Sequence, residues 1–351
     1  MDIKNIDKNF ADVKADADGL KRYSIPCGAF DLYGVFHDGN RFLRLPEDIA
    51  ANTSEGVKWL NTNTAGGRVR FSTNAKRVEI SATYEGLSRL PHMPLSGSGG
   101  FTLIDETDPS SPFLAAAYFP EYTAQNGFSI CKDVKLGGAM RNYILYMPLY
   151  NDVKSFTIGI DGDAAVKGGR KYKDVKPILY YGSSITQGGC ASRPDASYQA
   201  VISLWNNVDY INLGFSGNGK AERIMSDYLS GLDCGVFVCD YDHNAPNAEY
   251  LNNTHFNLYK TFRKKHKDVP IIFMTKPDPE REPEAKERVA IIEKTYETAL
   301  ENGDKNVYFI NGYDLFGDKD RMLCTVDGCH PTDRGFYLMA EKLYEIIKEL
   351  V

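Results

Sequence analysis

Basic residues never gather into a block along this 351-residue chain; beyond short runs such as Arg263-Lys264-Lys265-His266-Lys267 there is nothing, and the net charge is -6. Nucleic acid is therefore not an expected partner, and that run suits the carboxyl end of a solvated helix, where cations meet the negative end of the dipole. The seven cysteines include no C-x-x-C pair, are odd in number and follow no regular spacing, which excludes a disulfide framework. Cys324 and Cys329 lie near a histidine of interest, but a structural zinc site needs four ligands at tighter spacing; neither a metal nor a cofactor is expected. No apolar run approaches the length of a membrane span. The opening residues, Met1 to Lys8, are charged and lack the apolar core of a signal peptide, so the expectation is a reduced, cytoplasmic protein without a membrane partner.

What is present is ordinary for a globular chain, with 42% hydrophobic and 25% charged residues. The length allows two domains. After a polar amino-terminal arm, short alternating segments run to about Asp161: Arg41–Leu45, Arg68–Ser72, Arg77–Tyr84, Asn142–Met147 and Ser155–Ile160. Their period of two predicts antiparallel strands with one face inward and one in water. Turn-formers separate them and no amphipathic helix is evident between them, which predicts a β-sandwich of jelly-roll type over residues 1–170. Lys167-Gly168-Gly169-Arg170 is the expected linker.

From 171 to 351 the texture changes. Ile178–Tyr181, Tyr210–Leu213, Gly235–Cys239, Ile271–Met274 and Val307–Ile310 are short continuous apolar runs, as parallel strands covered on both faces should be. Helical periodicity falls between and after them: Val289, Ile292, Tyr296 and Ala299, then Phe336, Met339, Leu343, Ile346 and Leu350. This is the pattern of a doubly wound α/β domain, whose ligands sit beyond the carboxyl ends of the strands.

Four stretches fall at that edge. Gly182-Ser183-Ser184-Ile185-Thr186 follows the first strand, where a serine entering a helix projects its hydroxyl past the sheet among unpaired N–H groups. Asn212-Leu213-Gly214-Phe215-Ser216-Gly217-Asn218-Gly219 follows the second; a glycine there lets the backbone present an N–H to a substrate oxygen, although a plain strand-to-helix turn uses the same residues. Asp240-Tyr241-Asp242-His243-Asn244 follows the third. Asn244 can donate through its amide without titrating, while neighbours such as Asp242 and His243 on an extended chain would point apart. Asp327-Gly328-Cys329-His330-Pro331 precedes the last helix, with Thr332 as its cap. A carboxylate three residues before a histidine can orient one ring nitrogen and leave the other to take a serine proton. Each stretch alone also fits a structural turn. Among the other histidines, His92 and His255 are the ones left open as pocket residues.

In order and spacing these stretches resemble the four blocks of the SGNH (GDSL-type) serine hydrolases. The resemblance implies a flavodoxin-like three-layer α/β/α fold, a catalytic triad of Ser184, Asp327 and His330, and an oxyanion hole made by Ser184, Gly217 and Asn244. Two residues depart from the family pattern: Ser183 stands in place of aspartate, and Ala245 in place of the aspartate that commonly follows the asparagine. The first half is similar to the β-sandwich of a subgroup with a Gly-x-Asp-Leu-Tyr motif, some of them carbohydrate esterases. Asp31-Leu32-Tyr33 carries the letters but with Ala29 for glycine, and Gly100-Phe101-Thr102-Leu103-Ile104 has the better position with Thr102 and Ile104 substituted. The expected activity is hydrolysis of small acyl esters, O-acetyl first, on carbohydrates. The alternatives are an acyltransferase using the same serine and a non-catalytic carbohydrate-binding protein. A small-molecule or oligosaccharide partner is implied, and a homo-oligomer is left open.

Overall fold

Antiparallel strands occupy the first half of the computed structural model, which describes residues 15–351; most of the expected amino-terminal arm lies outside the described residues. One sheet runs in the order Leu20–Ile25, Val153–Asp161, Arg77–Tyr84, Gly127–Asp133. The other runs Val166–Gly168, Arg68–Thr73, Arg141–Tyr146, Phe101–Asp105, Phe113–Tyr118, and Asp31–Tyr33 also pairs with Arg68–Thr73. Val69, Phe71, Tyr143 and Leu145 of the second sheet meet Val78, Ile80, Phe156 and Ile158 of the first in a shared core. Two sheets face to face over alternating inward residues make a sandwich.

The structure corrects the sequence in three places here. Arg68 and Arg70 were expected to face water, and both are fully buried. The outer face of their sheet is covered by the second half of the chain, so Ile144 and Tyr146 join the core around Tyr180, Tyr198 and Tyr210. Second, Arg41–Leu45 forms only the two-residue strand Phe42–Leu43, because Arg44 leaves the sheet to bury its guanidinium elsewhere. Third, two short helices, Glu47–Thr53 and Glu55–Leu60, follow it; neither completes two turns, too short to leave a periodicity in the sequence. Lys167 and Gly168 of the expected linker belong to an edge strand, Val166–Gly168, and the chain crosses between halves after it.

The second half holds five parallel strands in the order Tyr210–Gly214, Ile178–Gly182, Val236–Asp240, Ile271–Met274, Val307–Ile310. Helices Tyr198–Asn206 and Asp333–Ile347 cover one face through Ile202, Phe336, Met339 and Leu343. Helices Arg223–Leu229, Ala248–Lys265 and Ala285–Glu301 cover the other through Met225, Leu251, Phe262 and Ile292. Each fully buried Leu, Ile or Phe contributes roughly 1.5–3 kcal/mol. Strand order reverses at Ile178–Gly182, which opens the crevice where such folds bind ligands.

Polar contacts lock the halves together. The Arg68 guanidinium lies 3.8 Å from the Tyr210 ring centroid and pairs with Asp209, while Arg70 pairs with buried Glu106 and donates to Asn207 at 2.8 Å. Pairing of this kind offsets the cost of taking these charges out of water. Among the described residues no helix is long and apolar enough to cross a membrane.

Candidate active site

Gly182, Gly214 and Asp240 stand level across three strands at the carboxyl edge of the parallel sheet. There the first strand gives way to one helical turn, Ser184–Gln187. Ser183 caps it: its Oγ accepts the Ile185 N–H at 3.1 Å, and its own N–H donates to Thr186 Oγ1 at 3.1 Å, a reciprocal box. Serine thus does at this position what a short carboxylate could also do. Gly188, at φ 103°, ends the turn. A dipole from one turn is small, so the unpaired N–H groups expected from the sequence, and not a helix dipole, must do the work.

Ser184 Oγ lies 3.0 Å from His330 Nε2, and His330 Nδ1 lies 2.8 Å from Asp327 Oδ2. Asp327 also accepts the backbone N–H groups of His330 (2.8 Å) and Cys329 (3.0 Å). Burial alone would raise the Asp327 pKa, but these hydrogen bonds and the imidazole outweigh it and bring it to about 2. An ionised carboxylate only accepts, so Nδ1 carries the ring proton and Nε2 faces Ser184 as the acceptor. This is the relation of nucleophile, base and orienting carboxylate.

The second stretch is tied to the first, since the Phe215 N–H donates to Gly182 O at 2.9 Å. Gly217 follows at φ 68°, a left-handed conformation that favours glycine, and a Cβ added to it would meet open space. Among the described residues, neither the Ser184 nor the Gly217 N–H has a protein acceptor. Asn244 Nδ2 donates one hydrogen to Phe215 O at 3.1 Å, which leaves its second free. Donors of this kind can hold an oxyanion where they converge on one point.

The sequence expected Asp242 and His243 on extended chain; they lie instead in the 3-10 turn Asp242–Asn244, with 3.6 Å between His243 Nδ1 and Asp242 Oδ1. Asp242 is nevertheless structural: it is buried and accepts the Lys276 N–H at 3.0 Å. His255 is buried against Thr295 and away from the serine. His92, from the sandwich half, does reach the site, its ring 5.3 Å from that of His330. With Cys190 these two histidines form the one cluster of potential metal ligands among the described residues, with one ring nitrogen of each histidine and the Cys190 Sγ within 4.8 Å of one another. A cation there would compete with Ser184 for His330. Cys324 and Cys329 do not take part.

Several supporting residues escaped the sequence. Tyr150 donates its hydroxyl to Ser184 O at 2.9 Å. Asp240, at the end of the third strand, accepts from Thr186 Oγ1 and from Tyr198 at 3.3 Å beneath the serine turn; burial, opposed by those bonds, pushes it up to about 8. Arg44 donates to Leu60 O at 2.6 Å and to Gly214 O, with its guanidinium 4.4 Å from the Phe215 ring. Only Asp240 lay within a stretch the sequence singled out; Arg44 and Tyr150 act from the other half of the chain, which no local pattern reveals.

Residues 175–348 match the model of the GDSL-like lipase/acylhydrolase family, and residues 30–166 match the model of the amino-terminal domain of SGNH-hydrolase-type esterases. No curated protein sequence matches. Among solved structures, a protein of Bacteroides ovatus ATCC 8483 described as a GDSL-like lipase superposes with a TM-score of 0.84 at 29% identity, covering 94% of this chain and 98% of that one. The salicylyl-acyltransferase SsfX3 of a tetracycline biosynthetic pathway (TM-score 0.76, 16% identity, 95% and 98% covered) shares the fold. So does a family two carbohydrate esterase of Clostridium thermocellum (TM-score 0.62, 16% identity, 93% and 98% covered). With both halves matched, the chain belongs to the GDSL-like lipase/acylhydrolase family and carries the amino-terminal domain of its SGNH-type esterases.

Proposed function

We propose that this chain is a serine esterase that removes small acyl groups, O-acetyl first, from carbohydrates by way of an acyl-enzyme. The observation that carries the reading is the chain of contacts Ser184–His330–Asp327 beside two N–H groups without protein acceptors. In the first step His330 Nε2 takes the Ser184 proton as Oγ bonds to the ester carbonyl carbon. The Ser184 and Gly217 N–H groups and Asn244 Nδ2 hold the resulting oxyanion. Collapse breaks the bond to the alcohol, which leaves with the proton from His330. Water then repeats the sequence, its proton passing through His330 to Ser184 as the carboxylic acid departs. Asp327 keeps the imidazole in the right tautomer and stabilises it while charged.

Carbohydrate as the alcohol is supported by likeness of fold to carbohydrate esterases. Likeness of fold to an acyltransferase supports transfer as the second reading. Purified enzyme is to be assayed on a simple acetate ester and on acetylated oligosaccharides, with and without a free sugar acceptor. Release of acetate lost in Ser184→Ala supports the hydrolytic reading; acyl transfer to the acceptor in preference to water favours the second. Wild-type turnover by Ser184→Ala contradicts both.

A further inference from the structure

A cavity of about 660 Å³ opens on the sandwich side of the serine, walled by the Glu55–Leu60 helix, the turns at Asp38–Arg41 and Glu85–Ser88, and Asp152. It is not the serine site, but the two share a wall. Asn63, which lines the cavity, accepts from Gln187 Nε2 at 3.1 Å, and Gln187 Oε1 accepts the Ser216 N–H at 3.0 Å, one residue before Gly217. Gly56, in the first turn of the wall helix, is packed so closely on Asn218 that an added Cβ would lie 2.0 Å from its Oδ1. Along the other wall the chain leaves the cavity at Ser88 and arrives four residues later at His92, beside His330. Buried Gln187 and the Gly56–Asn218 packing thus tie one wall of the cavity to the serine turn and the Gly217 loop, and the chain that carries His92 leaves from the other wall.

The lining has the chemistry of a sugar site. Trp59 is 64% exposed at the end of the wall helix, a broad flat apolar face left in water. Exposing so large a side chain forgoes the gain of burying it, and a pyranose ring offers a matching flat C–H face. Around it stand groups suited to hydroxyls. Arg41 bridges Asp152 at 3.1 Å and Glu85 at 3.0 Å and so holds both carboxylates in place. Asp152 Oδ1 is buried without a hydrogen-bond partner among the described residues, an acceptor lacking a donor. The acids that line the cavity outnumber the bases, which disfavours phosphorylated or carboxylated ligands. The volume falls in the range of small-ligand sites, about 300–1,000 Å³.

We propose that this cavity is a subsite for a neutral saccharide, in which a sugar ring stacks on Trp59 and its hydroxyls donate to Asp152 and Glu85 while the esterified position lies at Ser184. The proposal rests on the esterase reading for its link to Ser184, but binding can be tested apart from turnover. The chain has two tryptophans. The other, Trp205, packs edge-on against Tyr337 and Tyr344 on a different face. In a Ser184→Ala, Trp205→Phe protein, indole emission therefore reports Trp59 alone. Titration with unacetylated xylo-, cello-, manno- and chito-oligosaccharides is expected to change that emission saturably with at least one of them. Calorimetry on Ser184→Ala with Trp59→Ala or Asp152→Asn should then show binding weakened about tenfold or more. In the otherwise native enzyme, Trp59→Ala should lower by about tenfold the ratio of kcat/KM for the acetylated oligosaccharide to that for a simple aryl acetate.

Absence of binding by all four saccharide series, or equal binding after Trp59→Ala, overturns the subsite. A response only to a charged probe, inorganic phosphate or spermidine, overturns it as well. Failure of the esterase reading looks different: sugar binding survives while Ser184→Ala turns over as fast as the wild type.

Discussion

Arg44→Met should damage a catalytic loop from the other half of the molecule. Arg44 is 4% exposed and has no carboxylate partner among the described residues; its acceptors are the carbonyls of Leu60, Gly214 and, at 3.5 Å, Asn212. Burial lowers its pKa to about 9, so it remains a cation at neutral pH. Methionine keeps the length of the stem but takes this donor from the Gly214 carbonyl, at about 1–3 kcal/mol, while the Leu60 carbonyl keeps the Asn63 N–H at 3.1 Å. It also removes the cation from the face of Phe215, worth about 0.5–2 kcal/mol. Relief from burying a charge offsets part of this, and a net destabilisation of about 1–3 kcal/mol is expected in urea unfolding. Because the Gly214 carbonyl anchors the loop that carries Gly217, kcat should fall by up to about a hundredfold, the cost of one oxyanion donor, while KM moves little. Hydrogen exchange over residues 214–219 should accelerate. Arg44→Lys, able to reach one carbonyl but not all, should fall between. Unchanged unfolding midpoint, kcat and exchange in Arg44→Met would refute the claim that the sandwich half holds this loop in place.

Three further outcomes follow from the site. Asn244→Ala should lower kcat on an acetate ester roughly a hundredfold to a thousandfold, with a far smaller change in melting temperature; an unaltered kcat would remove Asn244 from the oxyanion hole. Gly182→Ala would put a Cβ 1.8 Å from Asp240 Oδ1 and 2.1 Å from Thr186 Oγ1, so soluble, fully active protein would contradict the packing of the serine turn. Asp240, raised to about 8 by burial, stabilises the fold most when protonated. Its contribution is full below the unfolded carboxylate pKa near 4 and is lost as pH rises to about 8. The isosteric Asp240→Asn has no such proton to lose, so the gap in stability between variant and wild type should shift in the variant's favour between pH 4 and 8, as read by denaturant unfolding; a pH-independent gap would show that Asp240 is charged throughout.

The fold was legible wherever one periodicity ran long enough. All five parallel strands lie where continuous apolar runs predict them, and Ala285–Glu301 is the helix that the spacing of Val289, Ile292, Tyr296 and Ala299 predicts. The edge strand Gly127–Asp133 alternates in exposure but buries no residue fully, and with Lys132 on its inner side only Phe128 and Ile130 mark it in the sequence. Arg68 and Arg70 misled because their alternation does mark two faces, but the second face meets Tyr210, Asp209 and Asn207 rather than water. At the site, Ser184, Asp327 and His330 could be named because each lies in a short local stretch, and the structure brings those three side chains into contact. Arg44, Tyr150, His92 and Trp59 could not be placed, because their relation to Ser184 exists only once the sandwich docks on the sheet edge.

The most direct test of the account is the identity of the nucleophile. The enzyme is to be treated with a fluorophosphonate, its intact mass measured and the labelled peptide mapped, alongside hydrolysis of an aryl acetate by wild type and Ser184→Ala. The expected result is one label per chain, carried by Ser184, absent from Ser184→Ala, and matched by loss of hydrolysis in that variant. A label on another residue, or wild-type turnover by Ser184→Ala, would contradict it.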